Sequence, residues 1–203
     1  MKKSIFVMAA SMAIFGAVST SQAQNKIVKK DTQKKQSQDA TSKSLGSVTT
    51  MDSTKSIVDN TSNLPNYTIL VSAVKASGLL DTLKGEGPFT LFAPSNEAFT
   101  KLPKGTIDIA SPEGKNQLAH IAKYHIVPGN LTSRDLALAV SRGKGKAILT
   151  TVSGEPLVIS INAEKNLQIT DENGGVALVT KFDASQSNGV IHAINTVLIP
   201  ENE

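Results

Sequence analysis

The stretch from residue 87 to residue 99 constrains the fold most, because it is predicted to be a buried strand that turns directly into a helix. Apolar side chains fall on both faces of the strand, which is typical of a central strand covered on both sides. These side chains are Phe89, Leu91, Phe92 and Ala93. Pro94 ends the strand because it has no N–H to donate to a neighbour. Ser95 is then placed to cap a helix that carries Phe99.

Apolar spacing divides the remainder of the domain into a helical half and a strand half. Helices are predicted at 67–76, 79–84, 96–102, from Ser111 onward, and from a capping pair formed by Thr132 and Asp135. Strands are predicted at 147–152, 157–161, 167–170, 176–180 and 190–199, with a hairpin turn at Asn173–Gly174. Because helices and strands are segregated along the chain, we expect an α+β fold rather than a parallel α/β sheet.

Residues 1–23 have the pattern of a secretory signal peptide. Lys2 and Lys3 precede an apolar run over residues 5–18, and small residues at Ser21 and Ala23 predict cleavage after Ala23. The apolar run is too short to span a bilayer comfortably. We therefore expect an exported protein, periplasmic, displayed at the cell surface or secreted, without a transmembrane span in the mature chain.

Residues 24–62 are predicted to be a disordered linker. They are rich in Lys, Gln, Ser, Thr and Asp, and their only apolar pairs are Ile27–Val28 and Ile57–Val58. The lysines of this segment could touch an anionic surface, and the alternative is a solvated tail. The folded domain is accordingly expected to occupy residues 63–203.

Charge is unevenly divided between the segments. The whole chain has 21 Lys and Arg against 17 Asp and Glu, whereas residues 64–203 have 12 against 13. The excess of positive charge therefore belongs to the first 63 residues. A near-neutral domain has no basic face dense enough to neutralise a phosphate backbone, so we do not expect nucleic-acid binding.

Three segments together resemble the signature motifs of the fasciclin (FAS1) domain family. They are residues 87–99, the Tyr-His segment 124–129, and residues 187–200. The positions that carry the signature are Phe89, Phe92, Ala93, Pro94, Ser95, Phe99, Asn188, Gly189 and His192. The resemblance implies a wedge-shaped β-sandwich of about seven strands flanked by helices. It also implies that the first and last of these segments are neighbours in the core.

Side chains that could perform chemistry are few. His192 lies in an apolar strand and His125 at a helix end, and both positions favour structural roles, while His120 is expected to be exposed. The chain has no Cys and no G-x-S-x-G motif. Ser95, His192 and Asp183 could be combined as a catalytic triad, although helix capping explains Ser95 better. Asp171 and Glu172 are expected to be solvated in a turn. We therefore expect no enzyme, cofactor or metal.

The resemblance implies a role in adhesion at the cell surface or in the matrix. In animal members of the family, the Tyr-His region and an Asp-Ile dipeptide are associated with receptor binding. The Tyr-His region corresponds here to Tyr124 and His125. The Asp of the dipeptide corresponds to Asp183, which is followed by Ala184 instead of Ile. We expect a monomer that contacts an extracellular protein or a cell-envelope glycan. The alternative is a secreted module that holds a small apolar ligand or haem between helices and sheet.

Overall fold

A computed structural model describes residues 51–85, 87–103, 106–107 and 111–201. The helices are α1 (Ile57–Ser62), α2 (Thr68–Ala76), α3 (Leu80–Lys84), α4 (Asn96–Thr100), α5 (Pro112–Tyr124) and α6 (Ser133–Arg142), with a 3-10 turn at Pro65–Tyr67. The strands are β1 (Phe89–Pro94), β2 (Ile126–Pro128), β3 (Lys146–Thr150), β4 (Pro156–Ile161), β5 (Leu167–Thr170), β6 (Val176–Gln186) and β7 (Gly189–Ile194). The α+β class is confirmed. Among the helices described, none combines the length and the apolar character needed to cross a bilayer.

All seven strands form one sheet in the order β2-β1-β7-β6-β5-β4-β3. β1 lies between β2 and β7 and runs parallel to β7, with Phe89 opposite Gly189 and Pro94 opposite Ile194. Every residue of β1 after Phe89 is buried. The two signature segments are therefore neighbours in the core, as the resemblance implied.

The long strand β6 joins the two halves of the sheet. Its first residues pair with β5 and its later residues pair with β7, across two shifts of register. The halves share one core, in which Phe92 of β1 packs with residues of the far half such as Ile159 and Ile169. Val152 N–H also donates to Ile126 C=O at 2.8 Å, which brings the two ends of the sheet together in a nearly closed barrel.

A second core lies between the helices and the β1–β7 half of the sheet. α2 contributes Leu70 and α5 contributes Leu118 and Ile121, all nearly inaccessible to solvent, and these pack with Leu91 and Ile191 of the two parallel strands. Burial of such large aliphatic side chains supplies most of the driving force for folding. The helices thus cover the side of β1 and β7 that faces away from the first core.

The linker boundary predicted at residue 62 is wrong. Residues 57–62 form α1, which Ser56 caps by accepting a hydrogen bond from Asp59 N–H. Ile57 and Val58, the apolar pair noted in the sequence, are buried in the helical core. Partial burial of Met51 against this core extends the folded domain to the first described residue. The predicted signal peptide and linker residues 24–50 lie outside the described residues.

The closing strand is shorter than the predicted segment 190–199. β7 ends at Ile194, and the chain then crosses the core, with Leu198 N–H donating to His125 Nε2 and Ile199 N–H donating to Asp171 Oδ2. Asp171 is buried and also accepts from Gly175 N–H, so it anchors the chain end instead of lying in solvent. Glu172 is exposed, as expected.

Two of the capping predictions have different outcomes. Thr132 and Asp135 form a reciprocal capping box at the start of α6, as the sequence indicated. Ser95 takes the N-cap position of α4, but its side chain makes no capping hydrogen bond. The neighbouring Asn96 holds this helix instead, because its amide donates to Pro65 C=O and its Oδ1 accepts from Ile69 N–H.

Candidate functional site

Tyr124 and His125 are both completely buried, so neither can contact a partner as the sequence hypothesis required. Tyr124 donates its hydroxyl proton to Pro156 C=O at 2.9 Å and accepts from Glu172 N–H. His125 Nδ1 donates to Ile121 C=O at 2.7 Å, and Nε2 accepts from Leu198 N–H. Burial raises the pKa of Tyr124 and lowers the pKa of His125 to about 4. The Tyr-His segment therefore ties α5 to the sheet and to the chain end.

The burial of His125 predicts a stability that depends on pH. The unfolded chain takes up a proton on this residue near the ordinary histidine pKa of 6.5, whereas the folded chain does so only near 4. The free energy of unfolding therefore has its full value above about pH 6.5, and it falls as the pH drops toward 4. At ~1.4 kcal/mol per pKa unit, we expect a loss of about 3 kcal/mol, measured by urea unfolding at pH 7 and pH 4.

Direct titration of the His125 imidazole provides a control for this effect of pH on stability. In an NMR titration of the folded protein, the His125 imidazole signals should stay in the neutral position down to about pH 5. The pKa of His192 is also lowered, mainly by burial, so its contribution has the same sign. A free energy of unfolding that stays level between pH 7 and pH 4 would show that His125 is not held neutral.

Asp183 is the one member of the predicted contact set that lies at the surface. It belongs to the β6 bulge, which we define as residues Lys181–Ala184. Lys181 lies opposite Ala193 and Ala184 lies opposite Ile191, so the bulge inserts one extra residue into β6. Asp183 has a left-handed backbone with φ of 57°. Bulges of this kind redirect side chains and are frequent beside functional sites.

The β6 bulge is held by hydrogen bonds from two sides. Asp183 Oδ1 accepts from Ser133 N–H at 2.7 Å, and Oδ2 accepts from the Ser133 hydroxyl. These bonds join the bulge to the first turn of α6. Asp183 N–H donates to Nδ1 of His192, which lies on β7 beneath the bulge. These hydrogen bonds all belong to Asp183, which therefore anchors the bulge to α6 and to β7.

His192 lies between two phenylalanine rings. Phe92 stacks on it from the core at a centroid distance of 5.7 Å, and Phe182 meets it edge-on from the surface at 6.2 Å. Leu131 C=O can only accept, so His192 Nε2 carries the proton and Nδ1 accepts from Asp183 N–H. His192 is thus a neutral support for the bulge, which is the structural role predicted for it.

Phe182 is the exposed aromatic residue of the site. Its side chain is 45% exposed, although it stands against a buried ring. A groove of about 380 Å³ runs beside it, lined by Met51, Ser53, the bulge residues and Ser185. The groove places an apolar ring beside Lys181 and Asp183, so its lining contains both apolar and polar groups.

The candidate catalytic triad does not assemble. Both ring nitrogens of His192 are already bonded, one to Leu131 and one to Asp183 N–H. Ser95 lies in a separate cleft of about 540 Å³, at the carboxyl ends of β1 and β7. His120 is not simply exposed, because its Nε2 lies 2.9 Å from the Glu155 carboxylate. No group of three or more His, Asp or Glu side chains suited to a metal occurs among the described residues.

Comparison with known proteins shows the family. Residues 65–200 match the family described as the fasciclin domain. The chain belongs to the fasciclin domain family. Protein sll1483 of Synechocystis sp. is 38% identical to it over 150 residues, which cover 73% of this chain and 76% of that protein. Human periostin is 35% identical over 131 residues, which cover 64% of this chain and 14% of periostin.

A solved structure agrees with this assignment at the level of the fold. The FAS1 domain pair from the insect cell adhesion molecule Fasciclin I superposes with a TM-score of 0.56 at 23% identity. The match covers 71% of this chain and 51% of that chain, so our protein spans about half the length of the domain pair. At this identity the likeness establishes the fasciclin fold and nothing further.

Sequence reasoning missed the partners that shape the bulge. Asp183 was identified, but its contact with Ser133 joins residues 50 positions apart, and no local pattern predicts such a pair. Phe182 does leave a signal in the sequence, since it is an isolated aromatic residue between Lys181 and Asp183. A large apolar side chain flanked by charges is a reasonable candidate for a contact residue.

Proposed function

We propose that this fasciclin domain is an adhesion-type contact module, which binds an extracellular protein or a cell-envelope glycan through the β6 bulge. The supporting observation is the half-exposed Phe182, held on a buried histidine beside Asp183. Aromatic side chains are enriched at protein interfaces, and a rigid one loses little entropy on binding. The apolar ring face equally suits the carbon-bound hydrogens of a sugar.

Two further facts support this assignment. The fold is shared with a domain pair from an insect cell adhesion molecule, and the fasciclin domain is an adhesion-type rather than an enzymatic family. The signal-peptide pattern of residues 1–23 suggests export, which such a role requires. The alternative of a haem or apolar-ligand carrier has less support, because Glu97, Lys101 and Lys181 are among the residues that line the cleft of about 540 Å³, and their charges do not suit an apolar ligand.

Phe182→Ala is expected to weaken binding at least ~10-fold with only a small loss of stability, because the ring is 45% exposed and its contact with the core is one edge-on contact with His192. Binding of the purified protein to a glycan array and to immobilised envelope proteins measures the effect. Val176→Ala is the matched control, since Val176 has the same 45% exposure but lies where β6 pairs with β5. It should bind like the wild type.

Asp183→Asn tests a carboxylate that both supports the bulge and lines the groove, whereas Ser133→Ala tests the support alone. The substitution keeps the size of the side chain but weakens the charge-assisted bonds to Ser133. Binding should fall, and Ser133→Ala should lower it in the same way. If the wild type binds no glycan or envelope protein, or if Phe182→Ala binds as well as the wild type, the bulge is not the contact surface.

A further inference from the structure

β3 ends the sheet, and one of its sides has no paired strand among the described residues. β2 comes close to this edge near the end of β3, where Val152 N–H donates to Ile126 C=O, but no backbone hydrogen bond among the described residues joins β2 to the five residues of β3. Even the inward-facing Ala147 and Leu149 are only partly buried. The strand has a regular register with β4 and contains neither a proline nor a bulge, two devices that prevent pairing at exposed edges.

The direction of the free backbone groups follows from the hydrogen bonds at the β3–β4 turn. Thr151 N–H donates to Glu155 C=O at 2.9 Å, and Thr150 faces Pro156, which has no N–H. Hydrogen-bonded and non-bonded pairs alternate along an antiparallel ladder, so Leu149 and Ala147 bond to β4. The backbone groups of Ile148 and Thr150 therefore point away from β4, toward the open edge.

A row of side chains on the outer face of the sheet ends at the same edge. Ile148 lies opposite Val158, Val158 lies opposite Thr170, and Thr170 lies opposite Val176. Paired residues of this kind point to one face of the sheet. Ile148 is 72% exposed and is the most accessible of the large apolar side chains described. The row thus ends at Ile148, which has no paired residue among those described on the side away from β4.

Charges of opposite sign mark the two ends of β3. Arg142, Lys144 and Lys146 are exposed at its start. Glu155 follows its end, and Glu172 is exposed on the neighbouring turn between β5 and β6. If a second strand lay antiparallel along this edge, the basic end of each chain would meet the acidic end of the other.

We propose that the β3 edge pairs with the β3 edge of a second copy, antiparallel, about a two-fold axis at Ile148. The free backbone groups of Ile148 then bond to those of Ile148 of the second copy, and the two side chains become neighbours on the outer face. Lys146 lies opposite Thr150 of the second copy. The protein is then a dimer in solution rather than the monomer expected from the sequence.

This pairing leaves the β6 bulge accessible. The bulge lies in the part of β6 that pairs with β7, whereas β3 is three strands away. Three strand spacings amount to about 14 Å. A dimer joined at β3 therefore carries two bulges, and two simultaneous contacts with a surface raise the overall avidity without a new binding site. Dimer formation itself does not require the bulge to bind anything.

Sedimentation velocity of the purified full chain tests the pairing. Because only five residues pair, we expect a weak dimer that forms at concentrations on the order of 100 µM. Ile148→Lys should raise the dissociation constant at least ~10-fold, since it places two like charges at the axis. Val176→Lys introduces the same charge at the far end of the outer row and should leave the dissociation constant unchanged.

A charge exchange tests the register. Thr150→Lys alone should weaken the dimer, because position 150 then faces Lys146 of the second copy with the same charge. Adding Lys146→Glu should restore it, since the two substituted side chains attract each other across the strands. A chain that stays monomeric at about 100 µM and above, a dimer that tolerates Ile148→Lys, or a double variant that is not restored would each overturn the proposal.

Discussion

Gly189→Ala is expected to lower the free energy of unfolding by more than about 3 kcal/mol. A Cβ at this position would lie 1.9 Å from Phe89 C=O, because β7 begins directly against the parallel strand β1. Backbone atoms of β1 cannot yield without disturbing the central pairing of the sheet. The backbone of Gly189 also has φ of +153°, which side-chain-bearing residues rarely adopt. The midpoint of urea unfolding measures the loss.

Gly174→Ala is the matched control for this substitution. Gly174 also has a positive φ, of 80°, but nothing lies within 4 Å of the position that its Cβ would take. The substitution carries conformational strain alone and should cost roughly 1–2 kcal/mol. If the two variants unfold at the same urea concentration, the close approach of Gly189 to β1 is not what makes glycine necessary there.

Asn188→Ala is expected to cost about 3–5 kcal/mol, because one buried amide joins three segments of the domain. Its Oδ1 accepts from Ile57 N–H at 3.0 Å, and its Nδ2 donates to Leu83 C=O at 2.6 Å and to Gly85 C=O at 3.1 Å. Alanine leaves these backbone groups of α1 and α3 without the amide, and two of the contacts are buried. Thermal and urea unfolding measure the change.

Asn173→Ala removes a comparable pair of hydrogen bonds at the surface. The Asn173 amide donates to Ile199 C=O and Pro200 C=O at 2.9 and 3.0 Å, but the residue is exposed, so water can replace the lost donor. We expect a cost of about 1 kcal/mol or less. Equal effects of the two substitutions would mean that Asn188 does not hold α1 and α3 on the sheet.

Gly189 and Asn188 are neighbours in the second signature segment, but they act by different means. Gly189 has the positive φ, whereas Asn188 does not and acts through its side chain. The difference arises because a glycine requirement is local to the backbone. The partners of Asn188 lie 103 to 131 positions away along the chain. Only folding brings them to the amide.

In the candidate site, too, burial depends on contacts between distant segments. Of the three residues predicted to contact a partner, Asp183 is exposed, whereas Tyr124 and His125 are buried. A tyrosine and a histidine are compatible with either environment, since each has an apolar ring and polar atoms. Burial depends on whether other elements cover the ring and satisfy its polar atoms. Here Pro156, Glu172 and Leu198 do so.

The sequence by itself determined the α+β class, the positions of most helices and strands, the capping box of α6, and the family of the domain. These features rest on apolar periodicity, capping residues and motif order, which act over a few neighbouring residues or are conspicuous along the chain. Tertiary structure decided that α1 belongs to the domain, that β6 bulges, and that Phe182 stands on His192. Those outcomes require contacts between distant segments, because an apolar pair such as Ile57–Val58 becomes a buried helix only when a core is present to cover it.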